Sequence, residues 1–528
     1  MSTVREAEET THEPSAARAW VAVLGGVAAG AVTIGVAELL AGLMERFGWS
    51  GGIPSPVIAV GEAFIDRTPP WLKDFAVNNF GTNDKAVLLA GIGVVLFLLS
   101  CLIGLLLRRL PVAALVGFVV LIAVAMAAVL TRPGARPADL IPTVVGGLMG
   151  LWVLHRWRGL LSVGVGRREI TTERRQVLTW TMLSVVGGGL ALAAGRAVSG
   201  SARAIQAARA TFVAPEVQHP VQVPAGAPVD VPGITPYIVP NGQFYRIDTA
   251  LQVPQVEASG WRLKVTGMVD HEVEIDWKTL LSKPMQQAMI TLMCVSNEVG
   301  GSLNGNAIWT GWPVRELLKL AGPQAGADMV LSTSVDGFTA GTPIGALTDD
   351  RNALLAVAMN GKALPVEHGY PVRLVVPGLY GYVSATKWLT QLKVTTYAKD
   401  QGYWIPRGWS AMGPVKISSR IDVPRDGRSV SPGADGTVPI AGVAWDQHTG
   451  VSGVQVRIDD GPWQSAKLGE QATVDAWRQW VLHWPATKGR HTATVRAVDA
   501  KGQVQISAEA PPPPNGSTGL HSVTFTVS

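Results

Sequence analysis

The 528-residue sequence predicts a multidomain chain: a five-span α-helical membrane anchor, an α+β domain and a C-terminal immunoglobulin-like β-sandwich. Three observations carry that reading. A mean hydropathy of +0.24 with only 16% charged residues is too apolar for a soluble chain of this size, and the excess lies in the first 200 residues. From Trp261 onward, alternating apolar runs are separated by short helical patterns such as Val314–Ala321, as in α+β domains. After Pro424 the chain breaks into short alternating strands with turns rich in Gly, Asp and Pro, as in a two-sheet sandwich. The boundaries that follow are an anchor over 1–195, a Pro-rich linker over 196–240, the α+β domain over 241–420 and the sandwich over 421–528.

Apolar runs long enough to cross a bilayer lie at about 20–44, 86–107, 111–131, 139–155 and 177–195. The fourth is the weakest, since it contains Pro142 and several glycines. Arg108 and Arg109 follow the second run, and Arg156, Arg158, Arg167, Arg168, Arg174 and Arg175 separate the fourth from the fifth. By the positive-inside rule those loops are cytoplasmic, so the N-terminus is inside and everything after Arg196 outside. The expected location is thus the cell membrane, multi-pass, with the lipid bilayer as partner. Arg174 and Arg175, just before the last run, read as a twin-arginine export signal. With no small-residue cleavage site after it, the segment is expected to remain as an anchor. A pI near 9.2 does not point to nucleic acid here, because the arginines cluster beside the spans. Among the spans only His155 offers an imidazole, so no haem is expected. Glu38, an acidic residue within a span, is read as satisfied inside the bundle.

Two cysteines exclude a disulfide framework or a zinc ribbon, Cys101 lying in an apolar run. Cys294 ends a β-rich run over 290–293 and precedes a loop rich in Gly and Asn, then Trp309-Thr310-Gly311. Taken alone, such a cysteine is more often a small buried apolar residue, but a thiolate at a strand end is also a soft metal ligand. Further on, Met359-Asn360-Gly361 reads as a hairpin turn, and His368-Gly369-Tyr370-Pro371-Val372-Arg373, Pro377-Gly378 and residues 384–388 follow. Each basic side chain alone has an ordinary structural reading. Together they set cations and donors on rigid elements, as an anionic cofactor requires.

In this order the segments resemble the sulfite-oxidase family of molybdopterin-dependent oxidoreductases, in a membrane-anchored bacterial form. The resemblance runs from about Thr235 to the C-terminus, and the anchor is not shared by the family's best-known members. It implies a molybdenum pyranopterin, with Cys294 as the molybdenum ligand and catalytic centre. His368, Arg373, Lys387 and the backbone of Ser384, Ala385 and Thr386 are implied to hold the pterin and its phosphate. Tyr245 and Arg246 match more weakly the cofactor-contacting Tyr of related bacterial methionine-sulfoxide reductases, which usually carry Glu after it. Segments 440–445, 456–461, 477–480 and 496–499 resemble the family's dimerisation domain, which implies a homodimer. The implied activity is two-electron oxygen-atom transfer on a small or protein-borne substrate, with an electron donor or acceptor that the sequence does not identify.

The same alignment predicts a substrate other than sulfite. It puts Asp248 where sulfite oxidases carry a substrate-facing arginine, Phe338 where they carry a tyrosine, and Glu298 where a positive charge is usual. A compact anion needs converging cations on entering a closed cavity, so this pocket suits a neutral or cationic S-oxide or N-oxide. The competing readings are a sulfite dehydrogenase, a cofactor-free binding or adhesion module on a membrane anchor, and an electron-conducting membrane subunit. The absence of paired histidines in the spans disfavours the last, and molybdenum content separates enzyme from module.

Overall fold

The computed structural model describes residues 15–69, 72, 75, 79–80, 84–162, 170–198 and 201–528. The chain divides into two compact units, Met1–Ala202 and Arg203–Ser528. In the first, the segments Ala19–Arg46, Lys85–Arg109, Pro111–Leu130 and Pro137–Gly159 are long and apolar enough to cross a membrane. Within the helix Ile170–Val198, the described residues form a shorter apolar stretch, Thr181–Ala194. Arg167 and Arg168 lie outside the described residues. Pro142 sits in the first turn of Ile141–Ser162, where its missing N–H leaves no bond unmade. A helix that the apolar runs did not announce, Pro56–Arg67, is capped by Ser55, whose hydroxyl accepts from the Ile58 amide and donates to Glu38 at 2.6 Å. Glu38 is thereby satisfied within the bundle. A Cβ on Gly26 would collide with the Ser100 carbonyl oxygen, so Ser15–Arg46 and Asp84–Arg109 meet backbone to backbone, as small residues permit in apolar bundles.

The second unit begins inside the expected linker. Residues Ser201–Ala210 are helical, Ile205 is buried in the main core, and Arg209 Nε donates to the Leu364 carbonyl at 2.8 Å. Two sheets build the α+β part. One runs in the order Gln286–Met293, Asn304–Pro313, Leu354–Met359, Lys362–Ala363, with Arg373–Val375 also paired to Leu354–Met359. Leu354–Met359 is buried at every position, which explains its unbroken apolar sequence. Asn360 and Gly361, both at positive φ, form the tight turn to Lys362–Ala363. The other sheet is ordered Val273–Asp276, Arg262–Gly267, Leu389–Thr395, Met329–Ser334, Thr339–Pro343. Helix Val314–Ala321 buries Val314, Leu317, Leu318 and Ala321, an i, i+3, i+4, i+7 stripe, and stops at Gly322 with φ 66°.

The C-terminal part holds a four-stranded and a five-stranded sheet whose apolar residues share one cluster, including Ile440, Val456, Trp480, Val495 and Phe525. It grips the Gln286–Met293 strand directly. Thr291 N–H donates to the Asp475 carbonyl at 3.0 Å, Trp477 N–H to Thr291 Oγ1 at 2.9 Å, and Gln447 Nε2 to the Thr291 carbonyl.

Candidate active site

The grip on Thr291 fixes the strand that ends at Met293, and Cys294 follows where the chain leaves the sheet. Its N–H donates to the Leu303 carbonyl at 2.9 Å, its carbonyl accepts from Asn297, and the Ser296 amide donates to Sγ at 3.4 Å. Asn297 points inward and accepts from the Leu303 amide at 2.8 Å, closing the loop. Burial pushes the thiol pKa up, opposed by the Ser296 amide and the Lys387 charge.

Cys294 lines a cavity of about 120 Å³ together with Tyr245, Asp248, Phe338, His368, Arg373, Ala385 and Lys387. Eight of the expected site residues therefore converge from five segments distant in sequence. Arg373 opens a short strand, is 4% exposed, and lies 5.0 Å over the Trp309 ring. Its Nη1 and Nη2 donate to the carbonyls of His368 and Ala385, while Nε has no partner among the described residues. Burial lowers its pKa to about 10. Lys387 Nζ donates to Asp248 Oδ2 at 3.2 Å and to the Glu367 carbonyl at 2.9 Å, and burial pulls its pKa down to about 8 against the attraction of Asp248. His368 packs edge-on to Phe244, and burial with the charges of Arg373 and Lys387 lowers its pKa to about 3, so it is neutral. Trp388, a bulky residue at φ 48°, turns the chain from Lys387 into the Leu389–Thr395 strand; its Nε1 bond to the Val366 carbonyl holds that strained conformation.

Four expected residues are not among those lining the cavity, though for Ser384 and Thr386 the expectation concerned the backbone alone. Glu298 is exposed and faces the 509–520 segment, outside the cavity, because the loop that turns Asn297 inward turns its neighbour out. The Ser384 hydroxyl bonds the Leu379 and Tyr380 carbonyls, and the Thr386 hydroxyl meets Ser332 Oγ at 2.7 Å, so both side chains are spent inside the fold. Arg246 is 40% exposed beside the cavity and donates to Asp248 at 2.8 Å. Asp248 is thus no lone carboxylate: two cations share its Oδ2, which corrects the expectation that it repels an anion.

The sequence reading missed Asp336 and the rings of Tyr382, Trp404 and Trp409, all of which line the cavity. Asp336-Gly337 between two β-rich runs is a legible hairpin signal, but nothing in it announces which way the carboxyl faces. The three rings form a tilted and edge-on series, Tyr382 to Trp409 at 5.9 Å and Trp409 to Trp404 at 6.4 Å.

The molybdenum pterin that the resemblance implies fits this donor set. A soft sulfur lines the cavity, and beside it a buried guanidinium keeps an unpartnered N–H for an anion, which a phosphate supplies.

Residues 250–404 match the family described as "Oxidoreductase molybdopterin binding domain". The chain is 30% identical to the mitochondrial sulfite oxidase of Homo sapiens over 324 residues, covering 52% of this chain and 58% of that protein. With the sulfite oxidase of Gallus gallus it shares 29% identity over 325 residues, covering 52% of this chain and 69% of that one. The chain therefore spans little more than half the length of the human relative. Among solved structures, the sulfane dehydrogenase SoxCD from Paracoccus pantotrophus aligns with 22% identity and a TM-score of 0.48, over 60% of this chain and 90% of that chain.

Proposed function

This chain belongs to the sulfite-oxidase family of molybdenum-dependent oxidoreductases, and from that premise we propose a membrane-anchored enzyme that transfers an oxygen atom to or from a neutral or cationic S-oxide or N-oxide outside the cytoplasm. The observation that carries the substrate reading is the distribution of charge around the cavity. Arg373 offers the open donor, and holding an anionic cofactor uses it. Arg246 serves Asp248, and Lys387 is shared between Asp248 and that cofactor. A compact dianion then meets no uncommitted cation, and meets instead Asp336 and the rings of Phe338, Trp404 and Trp409, which favour apolar or cationic substituents.

In this reading Cys294 holds the metal, and Arg373, Lys387, His368 and the Ala385 backbone hold the pterin and its phosphate. When bound, the cofactor supplies two-electron oxygen-atom exchange. The chain's own residues orient it: the C-terminal grip on Thr291 fixes Cys294, and the strained Trp388 fixes Lys387. The aromatic wall excludes water from the remaining space.

Metal analysis is expected to give about one molybdenum per chain, and Cys294→Ala to lose activity while keeping its unfolding midpoint. Molybdenum-free protein, or full activity in the variant, overturns the reading. A second reading, sulfite dehydrogenase, is favoured by the named activity of the relatives. Assays with a reduced dye and S-oxides or N-oxides, and with an electron acceptor and sulfite, decide between them.

We also infer that Ile170–Val198 completes a fifth span, which places the N-terminus inside, and that an immunoglobulin-type C-terminal domain joins two copies. A detergent-corrected mass of one chain would exclude that dimer.

A further inference from the structure

Asp336 sits at the tip of the hairpin joining Met329–Ser334 to Thr339–Pro343, a turn tied to the cavity wall by the bond from Val335 N–H to the Trp388 carbonyl at 3.0 Å. Its Oδ1 accepts from the Phe338 amide at 3.2 Å, which orients the carboxyl toward the cavity it lines. The Ser334 hydroxyl is near enough to act on the carboxyl's charge, yet has no hydrogen-bond partner of proper geometry. The carboxyl lies on the cavity wall. Val335, its neighbour in the turn, is 44% exposed, so the tip also borders solvent.

We propose that Asp336 is the proton-carrying residue of this cavity, passing protons from solvent to the oxygen being transferred. The inference rests on the oxygen-transfer reading above. Reducing an S-oxide breaks its S–O bond, takes two electrons from an external one-electron donor and two protons, and releases the sulfide and water; the reverse direction releases the same protons. Every such turnover needs a group that can give and regain a proton beside the reacting oxygen.

The other groups facing this space are poorly placed for that task. Lys387 is tied to Asp248 and to the Glu367 carbonyl, and the guanidiniums of Arg246 and Arg373 do not release protons. His368 is held neutral, and burial pushes the phenols of Tyr245 and Tyr382 up beyond use. Asp248 is shared between two cations, and Cys294 is assigned to the metal. Asp336 is the remaining carboxyl. Burial and the charge of Asp248 raise its pKa above the ordinary carboxylate range, against Ser334, the Phe338 amide and Lys387, so it retains its proton to higher pH than an exposed aspartate.

The test uses the full-length, metal-loaded protein and Asp336→Asn, which keeps an oxygen for the Phe338 amide but carries no transferable proton. The expected result is a fall in kcat of about 10²-fold with KM nearly unchanged, loss of one limb of the pH profile, and recovery in Asp336→Glu. Molybdenum content and the unfolding midpoint should match wild type. Infrared difference spectra over pH, taken without substrate, should show a protonated-carboxyl band that vanishes in Asp336→Asn. Unchanged kcat and pH profile in the variant overturn the inference, as does the absence of that band from wild type. Failure of wild type to turn over any S-oxide or N-oxide overturns the functional reading instead, and this inference with it.

Discussion

Lys387 Nζ and Asp248 Oδ2 lie 3.2 Å apart in the cavity wall, with side chains only 11% and 4% exposed. Burial dominates the lysine, whose pKa falls to about 8 from an ordinary 10.5. Its charge is therefore present below about pH 8 and lost above it. Anion retention by the site is expected to fall as pH rises through about 8, read as molybdenum and pterin remaining after dialysis at stepped pH. Stability has the opposite sign: the unfolded chain holds this proton longer, so Lys387 contributes a penalty below about pH 8 that disappears as pH rises toward 10.5.

Removing the carboxylate leaves that cation buried without its counter-charge. Asp248→Ala is expected to destabilise the protein by about 3 kcal/mol, measured by denaturant unfolding, because stripping one partner from a buried pair costs more than the pair contributes. Lys387→Met combined with Asp248→Leu should recover much of the loss.

His368 gives a second pH signature. Its folded pKa of about 3 lies below the ordinary 6.5, so the unfolded chain binds the proton first as pH falls. Stability is complete above about pH 6.5 and declines toward pH 3 by about 1.4 kcal/mol per pH unit at most. His368→Gln should flatten that acid slope in thermal unfolding curves.

Arg373 separates folding from binding. A buried guanidinium with an unpartnered Nε costs stability in the cofactor-free protein, so Arg373→Met should raise apoprotein stability by about 1–3 kcal/mol. The same change should abolish pterin retention. A variant that loses stability and keeps cofactor would show that Arg373 serves the core.

Glu298 should be silent. Lying outside the cavity, Glu298→Gln is expected to leave kcat, KM and the preference among substrates unchanged, with stability altered by no more than about 0.5 kcal/mol. A changed substrate preference would return the residue to the pocket.

The sequence made the site's chemistry more legible than its architecture. Cys294, His368, Arg373 and Lys387 were named through the family resemblance of their segments, and the structure brings all four to the wall of one cavity. Glu298 misled because adjacent loop residues face opposite ways, and only the bond from the Leu303 amide to Asn297 decides which goes in. Asp248 was located correctly but misjudged in effect, since its two cations come from 246, two residues away, and 387, far along the chain. Trp404 and Trp409 escaped notice because an aromatic wall depends on tertiary packing, which has no period to read. The helix Ser201–Ala210 was absorbed into a linker for a related reason: its burial rests on one face centred on Ile205, too short a signal beside proline-rich neighbours.

That segment bears on where the protein can be cut. Beyond the helix, the Val239 amide donates to the Asn306 carbonyl, and the Tyr237 carbonyl accepts from both Asn306 Nδ2 and Trp477 Nε1, so one strap residue joins the Cys294 sheet to the C-terminal domain. Proteolysis among the prolines of 214–240 would unpick this joint and leave a damaged domain. Only cleavage upstream of Ile205 would leave the Arg203–Ser528 unit with its core whole, so a stable truncated form has a narrow stretch of chain in which to begin.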